Sequence, residues 1–429
     1  MRGVLRRHPY ILAVAAALLI RIAVIPLLSP EQLSPERDHW RFGYETGRVA
    51  RSIVEGHGFS SPLFEETGPT SWFTPVYPYI VAGVFKVFGV YSERSLYVLL
   101  VFNSLTSALT CVPIFFIARK QFGERVAKRA AWAWAFFPWA IYFPVERVWE
   151  TWLATLLLTL IFLVALHLEH SDRIWPWAGF GALWGAAALN SPVSLAVLPP
   201  LGIWVCYRLH RQGKRWFLPA VAAGLVMAVL VTPWVIRDYR TFHQFIPLRD
   251  GMGLELWVGN NGDTSHWHPP KAGPWHNEAE FAEFKRLGEV PYMAKKRQMA
   301  LAYIRAHPAW FVAVSMRRVV YLWTGFWSFD RSYIREEPMD VPNILVATTV
   351  LTLALMGLRR ASRGQVGTAV PYLCVLIFFP LVYYVTHPEA YYLRPVDPFT
   401  VILGIYAVTG NKGPAEGSNR TESTVSAGQ

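Results

Sequence analysis

The sequence predicts an all-α polytopic membrane protein, and three observations carry that prediction. Only 16% of its 429 residues are charged while 53% are hydrophobic, against about 25% charged in soluble domains. The apolar residues are clumped: residues 95–118, 217–236, 341–358 and 364–386 contain no Asp, Glu, Lys or Arg, and about 20 helical residues cross a hydrocarbon core. The alternating ten-residue pattern of a membrane β-barrel is absent, which leaves helices as the structure that satisfies every backbone group in lipid.

Each span follows from the same reasoning. Residues 9–28 form the first, interrupted by Arg21 and preceded by Arg2, Arg6 and Arg7. No cleavable leader is expected, because this run is long and lacks a small-residue cleavage site. Residues 174–207 are uncharged and long enough for two spans that fold back at Asn190-Ser191-Pro192. Further spans are expected over 130–145, 150–167 and 396–409, for about ten in all. Basic clusters at Arg119–Arg129, Arg208–Arg215 and Arg359–Arg363 join the N-terminal one on the cytoplasmic side, and the spans then alternate without conflict. Both termini lie inside. Segments 75–89 and 310–327 stay on the outer side as interfacial helices, being short or interrupted by Lys86, Arg317 and Arg318. Two outer loops are large, 29–94 and 237–340, and the second carries a helical stretch near 278–306. Residues 1–410 form one transmembrane domain, and 411–429 a polar, disordered tail.

The net charge of +12 does not point to nucleic acid, because the basic residues sit in short loops where topology explains them. Cys111, Cys206 and Cys374 all lie in apolar runs and read as small core residues. Gly251-Met252-Gly253 is not a nucleotide loop, since it lacks the third glycine and the βαβ setting, and no Walker sequence occurs. His266, His268 and His276, with Asp263 nearby, invite a metal reading, but the spacing is not that of a zinc site. No cofactor is expected, and nothing in the sequence supports a divalent cation.

Residues 42–61 place charge just outside the first span. Phe42, Val49 and Ile53 recur near a 3.6-residue period while Glu45, Arg48, Arg51 and Glu55 mostly lie elsewhere, as in an amphipathic helix along the outer membrane face, ended by Gly56 and Gly58. An interfacial anchor with solvated charges explains this pattern equally well. Glu146 and Glu150 are four apart and share a helix face if the helix is continuous. Ionised groups at a span junction are costly and usually functional, although an ion pair with Arg147 is the plainer reading for Glu146. Asn190 is either a turn residue or a sugar-hydroxyl contact.

Tyr44-Glu45 with Ala50, EGHGFSSP (55–62) and TPVYPYIVAGVFKVFGV (74–90) resemble the first outer loop of GT-C glycosyltransferases. The similarity is to the aminoarabinose-transferase and protein-O-mannosyltransferase-like group, of the family 39 type. It continues through VTPWVIRDYRTF (231–242) and ELWVGNNG (255–262) to HPEAYYLRPVDP (387–398), in order along most of the chain. The resemblance implies a GT-C helical bundle in a bacterial inner membrane. It implies transfer, with inversion, of a sugar from a polyprenyl-phosphate donor to a lipid, glycan or protein acceptor at the extracytoplasmic face. It also implies a first-loop carboxylate as base or acceptor-orienting group. The family's usual Asp would fall near Phe42 or Gly43, so that role passes to Glu45 first and Asp38 second. The family's frequent Lys is replaced by the run Trp72-Phe73-Thr74-Pro75, so other cations must hold phosphate. Arg394 is the first choice, flanked by His387 and by Asp397, its expected ion-pair partner. Arg237 is the second, and snorkelling arginines are the alternative. Glu150 matches an acidic position that the family carries in its second outer loop. Trp257, Trp267 and Trp275 suit sugar stacking and interfacial anchoring alike. A transporter or flippase of a lipid-linked or small substrate is the rival class. It predicts paired halves with broken helices, and no internal repeat is seen.

Overall fold

A computed structural model of the chain describes residues 8–27, 40–263, 272–275, 277–328, 331–336, 340–364, 366–389 and 391–409. Asp38, Trp267, His266, His268, His276 and the 411–429 tail lie outside these residues. The described residues are helical, with one isolated β-bridge between Ser60 and Pro69. Among the described residues seven helices are long and apolar enough to cross a membrane, against about ten expected spans.

The difference comes from proline and from short helices. The run 130–145 is not one span: helix Glu124–Ala135 ends and Pro138–Glu146 begins afresh. Pro138 pushes Phe137 out of the helical region, to ψ 121°. In 364–386, helix Val366–Phe378 stops before Pro380 and Leu381–Val385 follows, yet Gly367–Val385 still counts among the seven; an expected span that does fall short is helix Ile174–Asn190, 17 residues long. The segment expected at 396–409 is helix Asp397–Val408, twelve residues long, too short to span alone. It lies against Asp340–Gly364, where a Cβ on Gly357 would collide with the Leu403 carbonyl. The fold-back at 190–192 forms as the sequence predicts: helix Ile174–Asn190 ends, Ser191 is extended, and a 3₁₀ turn at Pro192–Val197 leads into Leu198–Arg211.

Small residues bring the helices together. Ala127, Ala130, Ala131, Ala135, Ala140 and Ala165 are buried in the main core with Trp134, Trp152 and Trp184. Close packing of this kind replaces the hydrophobic drive that is missing between helices in lipid. Arg21, which interrupts helix Tyr10–Val24, is fully buried in that core. Its guanidinium donates to Ser107 Oγ (3.0 Å) and to the carbonyls of Ala17 (2.8 Å), Ala135 (3.2 Å) and Trp134 (3.2 Å). The last two close helix Glu124–Ala135: Arg21 supplies a donor to the Ala135 carbonyl and adds one to the Trp134 carbonyl, which also accepts from the Phe137 N–H (3.2 Å).

One end of the bundle gathers the basic clusters. Glu169 pairs with Lys120 (3.9 Å) and Arg208 (3.2 Å), and Arg360 caps the Thr409 carbonyl (3.0 Å). The opposite end carries a loop layer. Helices Met252–Gly259, Glu278–Leu287 and Glu289–Ala306 pack onto the first loop through Leu63, Trp72, Leu254, Phe284, Tyr292 and Met293. Glu289 latches the layer, accepting from the Ser71 N–H (2.6 Å) and the Thr70 hydroxyl (2.5 Å). Segments 75–89 and 310–327 become helices Val76–Phe88 and Pro308–Thr324.

Candidate active site

Helix Glu45–Val54 is amphipathic, as its periodicity predicts, but it does not lie on a surface. Glu45, Thr46, Arg48, Val49, Ala50 and Ser52 are all buried. Val49 packs on Phe59 and Trp234, and Ala50 joins the cluster of Phe42, Tyr77 and Phe85. The loop layer covers the polar face: the Trp275 indole N–H donates to Glu45 Oε1, and Arg48 donates to the Pro62 carbonyl (3.2 Å). The interfacial-anchor reading does not account for Glu45 and Arg48, which have protein above them, while Arg51 and Glu55 stay partly exposed and pair at 3.7 Å.

Glu146 and Glu150 do not share a helix face. Helix Pro138–Glu146 ends at Glu146, Arg147 is extended (φ −155°, ψ 163°), and Glu150 stands just before helix Thr151–Leu168. Glu146 pairs with Arg147 (3.2 Å), the plainer of its two readings. Glu150 is instead drawn to Glu45. The segment 147–150 is stitched to the residues that precede Glu45: Val148 N–H donates to the Arg41 carbonyl (2.7 Å), and a Cβ on Gly43 would sit 2.5 Å from the Val148 oxygen. Gly43 (φ +76°) and Tyr44 (φ +42°) are both left-handed, so the chain turns sharply there and launches the helix with Glu45 in its first turn. Beneath Glu150, Asn190 donates to its carbonyl (3.3 Å) and accepts at its own carbonyl from Thr74 Oγ1 (3.0 Å). Asn190 therefore supports the backbone of Glu150, while its Oδ1 is buried without a hydrogen-bond partner.

Burial dominates the electrostatics. It raises the Glu45 carboxyl above the ordinary range, opposed by Arg48 and the Trp275 hydrogen bond and reinforced by Glu255. It lifts Glu150 to about 7, with Arg249 opposing and the charge of Glu45 adding to the rise. Glu150 is thereby brought near neutrality, where an acid–base group is useful.

Glu255, on helix Met252–Gly259, and Arg249 complete the cluster, and neither was singled out from the sequence. Arg249 Nη2 is 3.8 Å from Glu255 Oε1, and its charge reaches Glu150 and Tyr383. His387 Nδ1 faces Glu255 Oε2 at 3.3 Å, while Tyr392 OH lies 3.2 Å from His387 Nε2 and its ring stacks on Tyr383 at 4.5 Å. The stretches ELWVGNNG and HPEAYYLRPVDP contain Glu255, His387 and Tyr392. The sequence held no signal that these stretches meet.

The two proposed phosphate cations are placed differently. Arg237 donates to the carbonyls of Thr70 (2.6 Å) and Phe59 (2.8 Å) and to Asp238 Oδ1 (2.7 Å), fastening the first loop to helix Phe217–Phe242. Arg394 is 5% exposed, lies 3.8 Å from the centre of the Trp139 ring and pairs with Asp397 at 3.2 Å, the partner expected. Its Nε and Nη1 have no hydrogen-bond partner, and it lines a cavity of about 40 Å³ with Trp139, Asn343, Asp340 and Glu389. That cavity is at the same end of the bundle, two residues along the chain from Tyr392. Of the stacking tryptophans, Trp257 lies beneath Lys296 (5.9 Å) and Trp275 sits on Glu45. Among the described residues no group of three His, Cys, Asp or Glu could hold a metal ion.

Residues 72–236, which include Glu150 and Asn190, match the family profile described as dolichyl-phosphate-mannose-protein mannosyltransferase. Among solved structures the chain is similar to the Archaeoglobus fulgidus oligosaccharyltransferase tethered with an acceptor peptide containing the NVT sequon. The TM-score is 0.57 at 13% identity, covering 93% of this chain and 49% of that one. The archaeal oligosaccharyltransferase AglB from Archaeoglobus fulgidus, in complex with an inhibitory peptide and a dolichol-phosphate, superimposes with a TM-score of 0.52 at 13% identity, covering 93% and 50%. The chain thus spans about half the length of these structures, and the likeness is one of fold. ArnT from Cupriavidus metallidurans bound to undecaprenyl phosphate is matched with a TM-score of 0.40 at 14% identity, covering 93% and 77%, too loose a superposition to carry an argument. No curated protein sequence matches the chain.

Proposed function

We propose, on the premise that this chain belongs to the GT-C membrane glycosyltransferases, that it transfers a sugar from a polyprenyl-phosphate donor to an acceptor at the extracytoplasmic face. The observation that carries the reading is the convergence of Glu45, Glu150, Glu255 and Arg249 from three chain segments into one cluster in which Glu45 is buried and the others are partly buried. Such a cluster serves acid–base chemistry beside a phosphate. A non-catalytic scaffold gains nothing from drawing three carboxylates together with only partial access to water.

In the proposed reaction the bond from the sugar's C1 to the phosphate oxygen breaks while the acceptor's oxygen or nitrogen bonds to C1 from the opposite face. The acceptor's proton passes to Glu45, and polyprenyl phosphate leaves with the electron pair. Phosphate is a good leaving group, so cations suffice to stabilise it. Arg249 is the cation beside the carboxylates. Arg394, paired through Nη1 with Asp397, keeps Nε without a hydrogen-bond partner for an oxyanion entering its cavity. Glu150, protonated over much of the neutral range, donates a hydrogen bond to the substrate, and the loop layer excludes water. Asp38 stays the alternative base. Lipid, glycan and protein acceptors all remain within this reading.

The test uses the purified full chain, a panel of polyprenyl-phosphate-linked hexoses and pentoses, and a membrane lipid extract as acceptor source. Release of polyprenyl phosphate is expected from the wild type and is expected to fall on the order of 10²–10⁴-fold in Glu45→Gln. Full activity in Glu45→Gln with loss in Asp38→Asn moves the base to Asp38. Transport of intact donor without release overturns the enzyme reading.

A further inference from the structure

We propose that Thr74 and Tyr77, acting through Asn190 and Asn103, fix the position of Glu150, which makes these four side chains positioning residues for the proposed reaction. The inference rests on Glu150 serving that reaction.

The geometry is two parallel chains of hydrogen bonds. In one, the Tyr77 hydroxyl donates to Asn103 Oδ1 (2.7 Å), and Asn103 Nδ2 donates to the Arg147 carbonyl (3.3 Å). In the other, Thr74 Oγ1 donates to the Asn190 carbonyl (3.0 Å), and Asn190 Nδ2 donates to the Glu150 carbonyl (3.3 Å). Both chains start where helix Val76–Phe88 begins. They finish at the two ends of one link, 147–150, between helices Pro138–Glu146 and Thr151–Leu168. Between those ends the Val148 N–H donates to the Arg41 carbonyl (2.7 Å).

The link needs such ties. Arg147 is extended (φ −155°, ψ 163°), so no continuous helical ladder runs from Glu146 to Thr151 and determines where Glu150 stands. Side chains from other helices supply the fixed path instead. All four are buried, none more than 5% exposed. Asn103 is fully buried within the membrane-crossing stretch Glu93–Phe122, where a polar side chain is costly and an apolar one is not. What Asn103 provides that an apolar residue cannot is a donor to backbone lying between two helices. The Tyr77 ring belongs to the apolar cluster of Phe42, Ala50, Val145 and Val148, which flanks both the link and the start of the Glu45 helix. Removing the hydroxyl alone leaves that cluster in place.

The test uses the purified full chain in detergent, followed by hydrogen exchange and by release of polyprenyl phosphate from the donor panel described above. Tyr77→Phe and Thr74→Val each remove one hydroxyl and keep its bulk. Exchange is expected to quicken in the peptide covering 147–150 and to keep its wild-type rate in helix Glu93–Leu109. In both variants kcat is expected to fall roughly tenfold with the donor KM unchanged, part of the ~10²-fold that a misplacement of about 1 Å costs. In a Glu150→Ala background the same substitutions are expected to lower kcat less than about twofold, because no carboxyl is left to misplace. Falls of equal size in the two backgrounds, exchange quickened along the whole of helix Glu93–Leu109, or unchanged exchange over 147–150 overturn the inference. Should Glu150→Ala have no measurable rate, the exchange pattern decides alone. Absence of release by the wild type with every donor sinks the transferase reading itself, and it is distinguishable because the exchange pattern does not depend on turnover.

Discussion

Substituting Gly43 by Ala tests whether backbone stitching aligns the two carboxylates. Gly43 has φ +76°, and a Cβ there would lie 2.5 Å from the Val148 oxygen, where ordinary contact begins at 3.4 Å. Two costs follow. The left-handed conformation costs an L-residue about 1–2 kcal/mol. The carbonyl must also retreat by roughly 0.9 Å, the gap between those two distances, which drags the 147–150 segment away from Glu45. The first cost is small beside a domain stability of about 5–15 kcal/mol, so the variant folds. The second acts on the site, where a misplacement of about 1 Å costs on the order of 10²-fold in rate. The expected result is a large fall in kcat for polyprenyl-phosphate release with thermal stability lowered only slightly. Gly58 is the control: its φ is +74°, and a Cβ there meets nothing within 4 Å. Gly58→Ala carries the same strain without the collision and is expected to keep its rate. Equal rates in the two variants refute the reasoning.

Three other outcomes are expected. Burial holds the Glu289 carboxyl up at about 7 against its ordinary 4.5; a raised folded-state value makes its latch fully stabilising below about 4.5 and progressively lost as pH rises through 7, by at most about 3 kcal/mol. Limited proteolysis of the loop layer between pH 5 and 8 should show this dependence in the wild type and not in Glu289→Gln. Arg21→Met leaves the Ala135 carbonyl without its donor, while the Trp134 carbonyl keeps the Phe137 N–H, and should cost about 1–3 kcal/mol, read as a fall in the melting temperature of the detergent-solubilised chain; no change shows that the Ala135 carbonyl finds another partner. Arg237→Lys, which cannot bridge Thr70, Phe59 and Asp238 together, should lower stability and leave the donor KM nearly unchanged, whereas a tenfold rise in KM returns Arg237 to the phosphate.

The parts of this molecule legible in the sequence are those set by local chemistry. Uncharged runs gave the helices at Phe217–Phe242 and Asp340–Gly364, and Asn190-Ser191-Pro192 gave the fold-back because each residue favours a turn. Proline marked other ends, but the break at Phe137 was missed: the apolar run continues across it, and hydropathy does not register a backbone angle. The amphipathic period of the Glu45 helix was readable and its surroundings were not. A polar face reads alike whether water or a second protein layer covers it, and here that layer comes from residues two hundred positions away. Glu146 and Glu150 show the converse failure, since spacing places side chains on one face only while the helix lasts. Glu255 and Arg249 were overlooked because nothing local distinguishes a carboxylate or guanidinium bound for a buried cluster from one bound for solvent.

The placement of the cluster follows from the two solvents such a chain must face. A carboxylate sunk among lipid-facing helices carries a desolvation cost that only neutralisation relieves, and one in open water keeps its ordinary acidity. Neither serves a base that must be ionised yet ready to take a proton. A protein layer laid over the end of the bundle provides an intermediate setting, polar enough to supply Arg48, Arg249 and the Trp275 indole, and dry enough to raise Glu45 and Glu150. In the proposed reaction the latch at Glu289 and the staple at Arg237 then contribute at a distance, because they hold in place the layer that desolvates the cluster. Loosening that layer should return the carboxyls toward their ordinary acidity before it unfolds any helix of the bundle, so that the pH profile of activity changes while the helical content does not.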